Sequence, residues 1–514
     1  MTHRWQTTSL WRLTGPSIES ETFSPDPCDA VVVGAGLTGL TTAVLLARAG
    51  QRVTVLEARR AGAVTTGNTT GKLSLLQGTV LSELRSHAGD GALQAYAEAN
   101  REGQAWLLRQ LESWGLEAER RTAYTYAAEP AQLESLEREL DAARSAGVAA
   151  FDTTETGLPF ETAGALALAE QAQLQPMIVL AALAAELRER GGRLVERCRV
   201  VDVDRRDAGV RVRSVLGDID AGVCVLASGV PVLDRGLFFA KLEPSRSFVG
   251  AYRPGPTSSP LPSGMYVSAG APDRSLRTAA GRDGEQLLLV GGGAHVTGRA
   301  ERTDDELRAI DAWAQQNFGV RDRECWWAAQ DYRAHSRIPF AGPLPRGGGR
   351  IYAATGYNKW GMTNAVAAAL TIAADVLGGH LEWALELRRH AARLPEMRDA
   401  IGANAAVAGH LVSGWASAQL RSSDEVGVPV EGEGVVARDG ASPVGMAKVD
   451  GEVCRVSGVC THLGGVLNWN AAEQSWDCPL HGSRFAADGR LLEGPAVRDL
   501  DRLDDAGPAS ASPM

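Results

Sequence analysis

Hydrophobic and polar positions alternate with different periods along the chain, and the changes of period divide it. Residues 30–33 form a short continuous apolar run, the pattern of a parallel strand buried on both faces. The spacing then predicts a helix over 40–48 and a second strand over 52–56. Helical spacing with charged outer faces returns at 90–114 and 130–147, where the charges read as solvated surface. It appears again at 175–192, opened by Pro176 and closed by Gly191 and Gly192. Strands are predicted over 193–203, 209–215 and 221–227, and near 248–253, 264–268 and 286–290. The latter group suggests a more antiparallel domain inserted into the first. A strand at 351–354 leads into a helix from Met362 to about Leu377. An Ala- and Arg-rich helical bridge follows to about Leu420, and residues 424–456 then switch to short alternating strands with glycine turns, marking a new domain. Residues 1–27 read as a polar lead-in.

The first strand runs directly into Gly34, Gly36 and Gly39, spaced G-x-G-x-x-G. Gly34 suits the tight turn, Gly36 the approach of a pyrophosphate, and Gly39 close packing of helix on strand. An anion then faces the unpaired N–H groups and positive dipole end of the helix. The second strand ends in Glu57, 21 residues after Gly36, where a carboxylate accepts from a ribose hydroxyl. Strand, glycine triplet, helix, strand and acid in this order define a dinucleotide site. Residues 61–78, rich in Gly, Thr and Ser, are too long for an ordinary turn and suit the wrapping of phosphates. Gly291, Gly292 and Gly293 lack a third glycine at the right spacing and a following acid, so they read as a turn. Without a second fingerprint, a pyridine-nucleotide reductase is disfavoured.

At 514 residues the chain has room for two to four domains. Its net charge is -10, and its only lysines are Lys72, Lys241, Lys359 and Lys448. The absence of a basic stripe argues against nucleic-acid binding. No run of 18 apolar residues and no apolar signal segment is present, so the expectation is a soluble, cytoplasmic protein without membrane association. Seven scattered cysteines do not form a secreted disulfide framework. Cys28, Cys198, Cys224, Cys325 and Cys454 are expected to be buried thiols.

The fingerprint, the Thr/Gly loop and the segment from Thr355 to Asn364 together resemble the FAD-dependent oxidoreductases of the D-amino-acid oxidase and sarcosine or glycine oxidase group. Gln330-Asp331-Tyr332 and Ile338-Pro339-Phe340-Ala341-Gly342 add to the likeness, which covers roughly residues 28–385. It implies FAD, with Gly356, Gly361, Met362 and Thr363 against the isoalloxazine ring. The expected cradle comprises Gly34, Gly36, Leu37, Thr38, Gly39, Glu57, Ala58, Thr66, Gly67, Asn68 and Thr69 from the first part of the chain. Val201, Ala227 and Gly229 complete it. Asn68 in the early loop and the lack of Cys in the late turn imply non-covalent FAD. Candidate substrate-side residues are Tyr252, His295, His335, Tyr357 and Trp360.

The most specific motif is Cys460-Thr461-His462, fifteen residues, then Cys478-Pro479-Leu480-His481. By ligand type alone a structural zinc site is the alternative. The flanking Leu463-Gly464-Gly465 and Gly482-Ser483 instead resemble a Rieske [2Fe-2S] domain, here about 425–505. In that family two thiolates hold one iron and two imidazoles the other, which implies Cys460 with Cys478 and His462 with His481. Gly465 and Leu480 stand where many relatives carry a disulfide, so that clamp is missing here. Relatives of high potential also offer hydroxyls to the cluster from two positions; here one is Ser483 and the other Phe485. The implied potential lies in the lower or middle part of the Rieske range, about -150 to +300 mV. Outside the cluster motif no histidine pair has a nearby acid at the spacing of a mononuclear iron site, so the cluster reads as a wire.

The whole predicts an α/β Rossmann-like FAD-binding domain with an inserted α+β substrate domain (28–385), a helical linker (386–424) and a small all-β Rieske domain. The expected activity is oxidation of a C–N bond in a small amine or amino acid. Electrons then pass from FAD through the cluster to a soluble, ferredoxin-like acceptor. From Arg421 onward there are 15 acidic against 8 basic residues, which suits an acceptor with a basic patch. Two other classes compete: an electron-transfer module without a small substrate, and an oxygen-using tailoring flavoenzyme fed by the Rieske domain.

Overall fold

The computed structural model describes residues 7–233, 235, 238–391, 415 and 422–503. Two compact units emerge. The larger holds most of the chain up to 397; the smaller gathers residues 243–245, 295–305 and the C-terminal part of the chain.

In the larger unit an eight-stranded sheet runs in the order Phe340–Pro343, Ile351–Thr355, Gly217–Leu226, Cys28–Val33, Val53–Leu56, Arg193–Val195, with the hairpin Val200–Arg205 and Val210–Ser214 beside it. Cys28–Val33 pairs in parallel with both neighbours, so Val33 lies level with Leu56 and Leu226, and Leu226 with Ala353. Its residues feed two cores. Ala30 and Val32 join the helices Leu37–Arg48, Pro176–Glu189 and Gly361–Val376, while Val31 and Val33 pack on the other face. This two-sided burial is why the strand reads as an unbroken apolar run. A second sheet of nine strands, largely antiparallel, includes Lys72–Leu73, Glu119–Ala127, Gly164–Gln173 and Gln286–Val296.

Four details differ from expectation. The strand predicted over 193–203 is broken between Val195 and Val200, with Arg197 at φ 54°. The loop 61–78 contains a short helix, Thr65–Asn68, and the strand Lys72–Leu73. Gly291 to Gly293 lie within the strand Gln286–Val296, not in a turn. Gly292 pairs with Arg274, and a Cβ on it would sit 2.5 Å from the Asp273 carbonyl oxygen, so close packing of neighbouring strands explains the glycine. The polar lead-in contains the helix Leu10–Thr14, whose Leu10 and Trp11 are buried. The expected helical linker is described only over part of Glu382–Ala391, at Trp415 and from Ser422; the remainder lies outside the described residues.

The smaller unit carries a three-stranded antiparallel sheet, Gly434–Asp439, Ser442–Val449 and Glu452–Ser457. A four-stranded one follows, Asn468–Asn470, Ser475–Asp477, Arg484–Ala486 and Leu491–Glu493. Trp476, Phe485, Leu467 and Val456 fill its core.

In the larger unit, Glu139 is fully buried and accepts from the Leu81 and Ser82 N–H groups (3.1 and 2.7 Å), in the first turn of the helix Val80–Ser113. Burial pushes its carboxyl up to about 7, against the pull of those N–H groups. Unfolded, it ionises near 4.5. The folded chain therefore keeps a proton that the unfolded chain loses, and stability falls as pH rises from 4.5 to 7, by roughly 3 kcal/mol. Chemical denaturation at pH 5 and pH 8 should show this drop, and Glu139→Gln should remove most of it.

Candidate functional site

Because the parallel strands are in register, their carboxyl ends form one edge where Gly34, Glu57, Ala227 and Thr355 follow one another. Ligands of open α/β sheets bind at such an edge. Gly34 has φ +107°, and a Cβ there would lie 2.6 Å from the Ala227 carbonyl oxygen; at Gly39 it would lie 1.9 Å from the Gly34 oxygen. Only glycine permits this crossing. The helix Leu37–Arg48 therefore starts at the strand end, its first turn at the edge. The Thr66 hydroxyl accepts from the Leu37 N–H at 3.1 Å. Glu57 accepts from the Ala35 and Arg59 N–H groups at 2.9 and 2.8 Å. Burial pushes its carboxyl up and these donors pull it back. Its two oxygens keep further acceptor capacity for ribose hydroxyls.

The loop after the second strand is fixed by its carbonyls. Those of Gly67, Asn68, Thr69, Thr70 and Gly71 accept in turn from Ser9 Oγ, Trp327 Nε1, Trp11 Nε1 and, for the last two, Arg277 Nη1. The Arg277 guanidinium also lies 5.0 Å over the Trp11 ring. Five consecutive acceptors held by remote side chains turn a Gly/Thr-rich segment into a rigid cradle. None of Ser9, Trp11 or Arg277 was expected at the site. They are single residues far apart in sequence, and no local pattern marks them.

At the C-terminal turn, Asn358 and Lys359 are both left-handed, with φ 51° and 69°. Such a pair needs support from its surroundings. Asn358 Oδ1 accepts from the Ala334 N–H (3.1 Å), its Nδ2 donates to the Arg337 carbonyl (3.0 Å), and the Asp331 carboxylate accepts from the Lys359 N–H. Lys359 Nζ lies 3.4 Å from Ser247 Oγ; burial pulls this amine down, while Asp273 and Asp331 act the other way. The Tyr357 hydroxyl is 2.9 Å from Thr38 Oγ1, and burial pushes the phenol well above its ordinary value, so it stays protonated. The first turn of Gly361–Val376 sits on a buried amide network. Gln77 Nε2 donates to Asn100 Oδ1 (3.1 Å) and Thr363 Oγ1 (3.2 Å), Tyr96 OH to Gln77 Oε1 (2.7 Å), and Asn364 Nδ2 to Tyr96 OH (3.0 Å). Thr363 is thus engaged with Asn100 and Gln77, and Met362 is in the core.

Of the five candidates on the substrate side, Tyr357 and Trp360 lie at this turn, and the His335 N–H donates to the Lys241 carbonyl in the strand region before it. The other two are Tyr252 and His295. Tyr252 is fully buried and its hydroxyl donates to Asp311 Oδ1 at 2.7 Å. His295 belongs to the smaller unit.

In the smaller unit two loops of matching shape face each other. The Cys460 N–H donates to Gly465 O and the Gly464 N–H to Cys460 O; the Cys478 N–H donates to Ser483 O and the Gly482 N–H to Cys478 O. Gly464 and Gly482 have φ 74° and 76°. The neighbouring Cys478 thiol pulls Cys460 down to about 7, while Cys460 and burial push Cys478 up. The His462 and His481 rings are 5.2 Å apart and nearly perpendicular. Among the described residues no three His, Cys, Asp or Glu side chains converge on one point. Two thiols on one side and two imidazoles on the other fit a two-iron cluster with two protein ligands to each iron. All seven cysteines are buried, and none forms a disulfide. The second loop rests on Arg484, buried and bound to Asp477 (2.9 Å), Glu493 (3.0 Å) and Glu473 (3.2 Å).

Fold and site define a flavin-dependent oxidoreductase with an iron–sulfur domain in the same chain. More narrowly, the chain belongs to the FAD dependent oxidoreductase family, whose pattern it matches over residues 29–374, and residues 414–504 match the Rieske [2Fe-2S] domain. It is 30% identical over 495 residues, 95% of either chain, to YhfW of Bacillus subtilis (strain 168), named as a Rieske 2Fe-2S iron-sulfur protein. It is 52% identical over 46 residues to the cytochrome b6-f complex iron-sulfur subunit of Synechococcus sp. (strain JA-3-3Ab), 9% of this chain and 27% of that one. Among solved structures, glycine oxidase from Geobacillus kaustophilus gives a TM-score of 0.58 at 18% identity, covering 70% of this chain and 96% of that one. L-proline dehydrogenase from P. horikoshii gives 0.57 at 17%, covering 72% and 100%. The protein is thus an FAD-dependent oxidoreductase that carries a [2Fe-2S] cluster. Among the described residues no helix is long and apolar enough to cross a membrane.

Two outcomes follow. Gly36→Val should abolish FAD binding, and Glu57→Ala should weaken it by about 1–3 kcal/mol through a lost charge-assisted hydrogen bond. Flavin content of the purified variants tests both, and a fully yellow Gly36→Val protein contradicts the fingerprint. The Ser483 hydroxyl pulls the Cys460 thiol down, whereas Phe485 has no hydroxyl to give. Ser483→Ala should lower the cluster's midpoint potential and Phe485→Tyr should raise it, as read by EPR-monitored redox titration.

Proposed function

We propose that the protein is a dehydrogenase of small amines or amino acids, which takes two electrons from a C–N bond and delivers them singly to a soluble acceptor. The carrying observation is the joining of a two-electron and a one-electron centre in one chain. Bound FAD supplies the two-electron acceptor and the cluster the one-electron relay. The likeness to proteins named glycine oxidase and L-proline dehydrogenase supports an amino-acid or amine substrate.

The chain's own residues supply position and exclusion. Gly34, Gly36 and the start of Leu37–Arg48 receive the diphosphate, Glu57 the ribose, and the fixed 65–71 loop closes around them. Ala58, Val201, Ala227 and Gly229 line the cradle alongside, with Gly356, Gly361 and Met362 toward the flavin ring. Tyr357, held by Thr38 and kept protonated, is a donor rather than a base. Trp360 caps Gly361–Val376 and, with Tyr357, walls the substrate side. Cys460, His462, Cys478 and His481 hold the cluster.

Anaerobic mixing with a panel of amines and amino acids should bleach the flavin. In Cys460→Ser the bleaching should persist in a single turnover while steady-state transfer to the acceptor stops. Bleaching only by a reduced protein would favour an electron-transfer module, and full turnover without the cluster would overturn the wire.

A further inference from the structure

Residues 295–305 lie, by sequence, inside the FAD dependent oxidoreductase match, yet they fold with the Rieske loops. The segment leaves the strand Gln286–Val296 and ends in the first residues of the helix Thr303–Phe318. Between them it makes a continuous set of contacts. Arg299 Nε donates to the carbonyl of Pro479, the residue after Cys478, at 2.9 Å. Asn468 Nδ2 donates to Gly298 O at 2.7 Å. The Thr303 hydroxyl donates to Asn470 Oδ1 at 2.7 Å and accepts from the Ala472 N–H at 3.2 Å. Asn470 Nδ2 in turn donates to Asp477 Oδ2 at 2.9 Å, and Asp477 is the partner of buried Arg484. Gly298, at φ +73°, is so close to the loop that a Cβ on it would lie 2.7 Å from Pro479 N and 2.8 Å from the Cys478 carbonyl carbon. The Thr297 N–H donates to Pro244 O at 3.1 Å, tying in residues 243–245.

We propose that residues 297–303 are the clamp of the cluster-binding loop, in the place of the disulfide that Gly465 and Leu480 do not form, and that Arg299 is its positioning residue. The proposal rests on the assignment of Cys460, His462, Cys478 and His481 as ligands. Arg299 does two things there. Its hydrogen bond fixes the Pro479 carbonyl, hence the direction in which Cys478 presents its sulfur. Its charge, which faces Cys478 and Glu243, opposes the negative charge the cluster gains on reduction and so raises the potential. The oxidoreductase part of the sequence thereby sets both the stability and the potential of the centre that it reduces.

The test uses the full-length holoprotein. Arg299→Met keeps the length of the side chain and removes the donor and the charge; Arg299→Lys restores the charge; Thr303→Val removes the contact to Asn470 without touching the charge. Each is measured for iron and sulfide per chain, for cluster loss in the presence of a chelator, and for midpoint potential by EPR-monitored titration. FAD content and flavin bleaching serve as the folding control. Arg299→Met should lose the cluster about fivefold faster and titrate at lower potential. Arg299→Lys should recover the potential in part, and Thr303→Val should accelerate cluster loss with little change in potential. Wild-type loss rate and potential in Arg299→Met with normal FAD would overturn the proposal. So would equal effects on potential from Arg299→Met and Thr303→Val, which would indicate a general loosening. A wild-type protein without a Rieske EPR signal would instead contradict the ligand assignment on which the proposal stands.

Discussion

The flavin half of this protein depends on one close approach of backbone to backbone. The first strand can be followed at once by a helix only because Gly34 and Gly39 have no Cβ to meet the Ala227 and Gly34 carbonyls. That crossing puts the first turn of Leu37–Arg48 at the carboxyl edge of the parallel sheet. There the register of four strands has already brought Glu57, Ala227 and Thr355 together. Everything else at the edge serves to hold still what that crossing creates. Five carbonyls of residues 67–71 are tied by side chains from the N-terminal helix and two strands of the second sheet, and the Tyr357–Lys359 turn is braced by Asn358 and Asp331.

The same economy governs the cluster half. Two short loops present two thiols and two imidazoles, and no disulfide restrains them. Restraint comes from Arg484, which is paired with the buried acids Asp477 and Glu493 and with the partly exposed Glu473. A buried cation with that many partners is a specific fastening, since removing Arg484 would leave the buried carboxylates of Asp477 and Glu493 without their cation. The network continues through Asp477 and Asn470 to Thr303, so the fastening of the loop and the strap beside it form one hydrogen-bonded system.

Much of this was legible in the sequence, and for a physical reason. Features fixed by local chain geometry leave local patterns: the apolar run of a two-sided strand, the glycine spacing of the crossing, the acid at the end of the second strand, the paired Cys and His. What depends on a long-range partner leaves none. Trp11 and Ser9 looked like part of a polar lead-in because their partners lie about sixty residues away. Gly291 to Gly293 looked like a turn because the neighbouring strand that demands small residues is invisible in the sequence. The bond from Tyr252 to Asp311 and the folding of His295 with the smaller unit leave no local pattern either.

In the proposed reaction electrons move from the flavin to the cluster within one chain. Rapid anaerobic reduction of the flavin, followed by freeze-quench EPR at increasing times, tests it directly. The rhombic signal of a reduced Rieske cluster should grow as the fully reduced flavin disappears, at a rate independent of protein concentration. A flavin that stays fully reduced beside a permanently EPR-silent, oxidised cluster would contradict it.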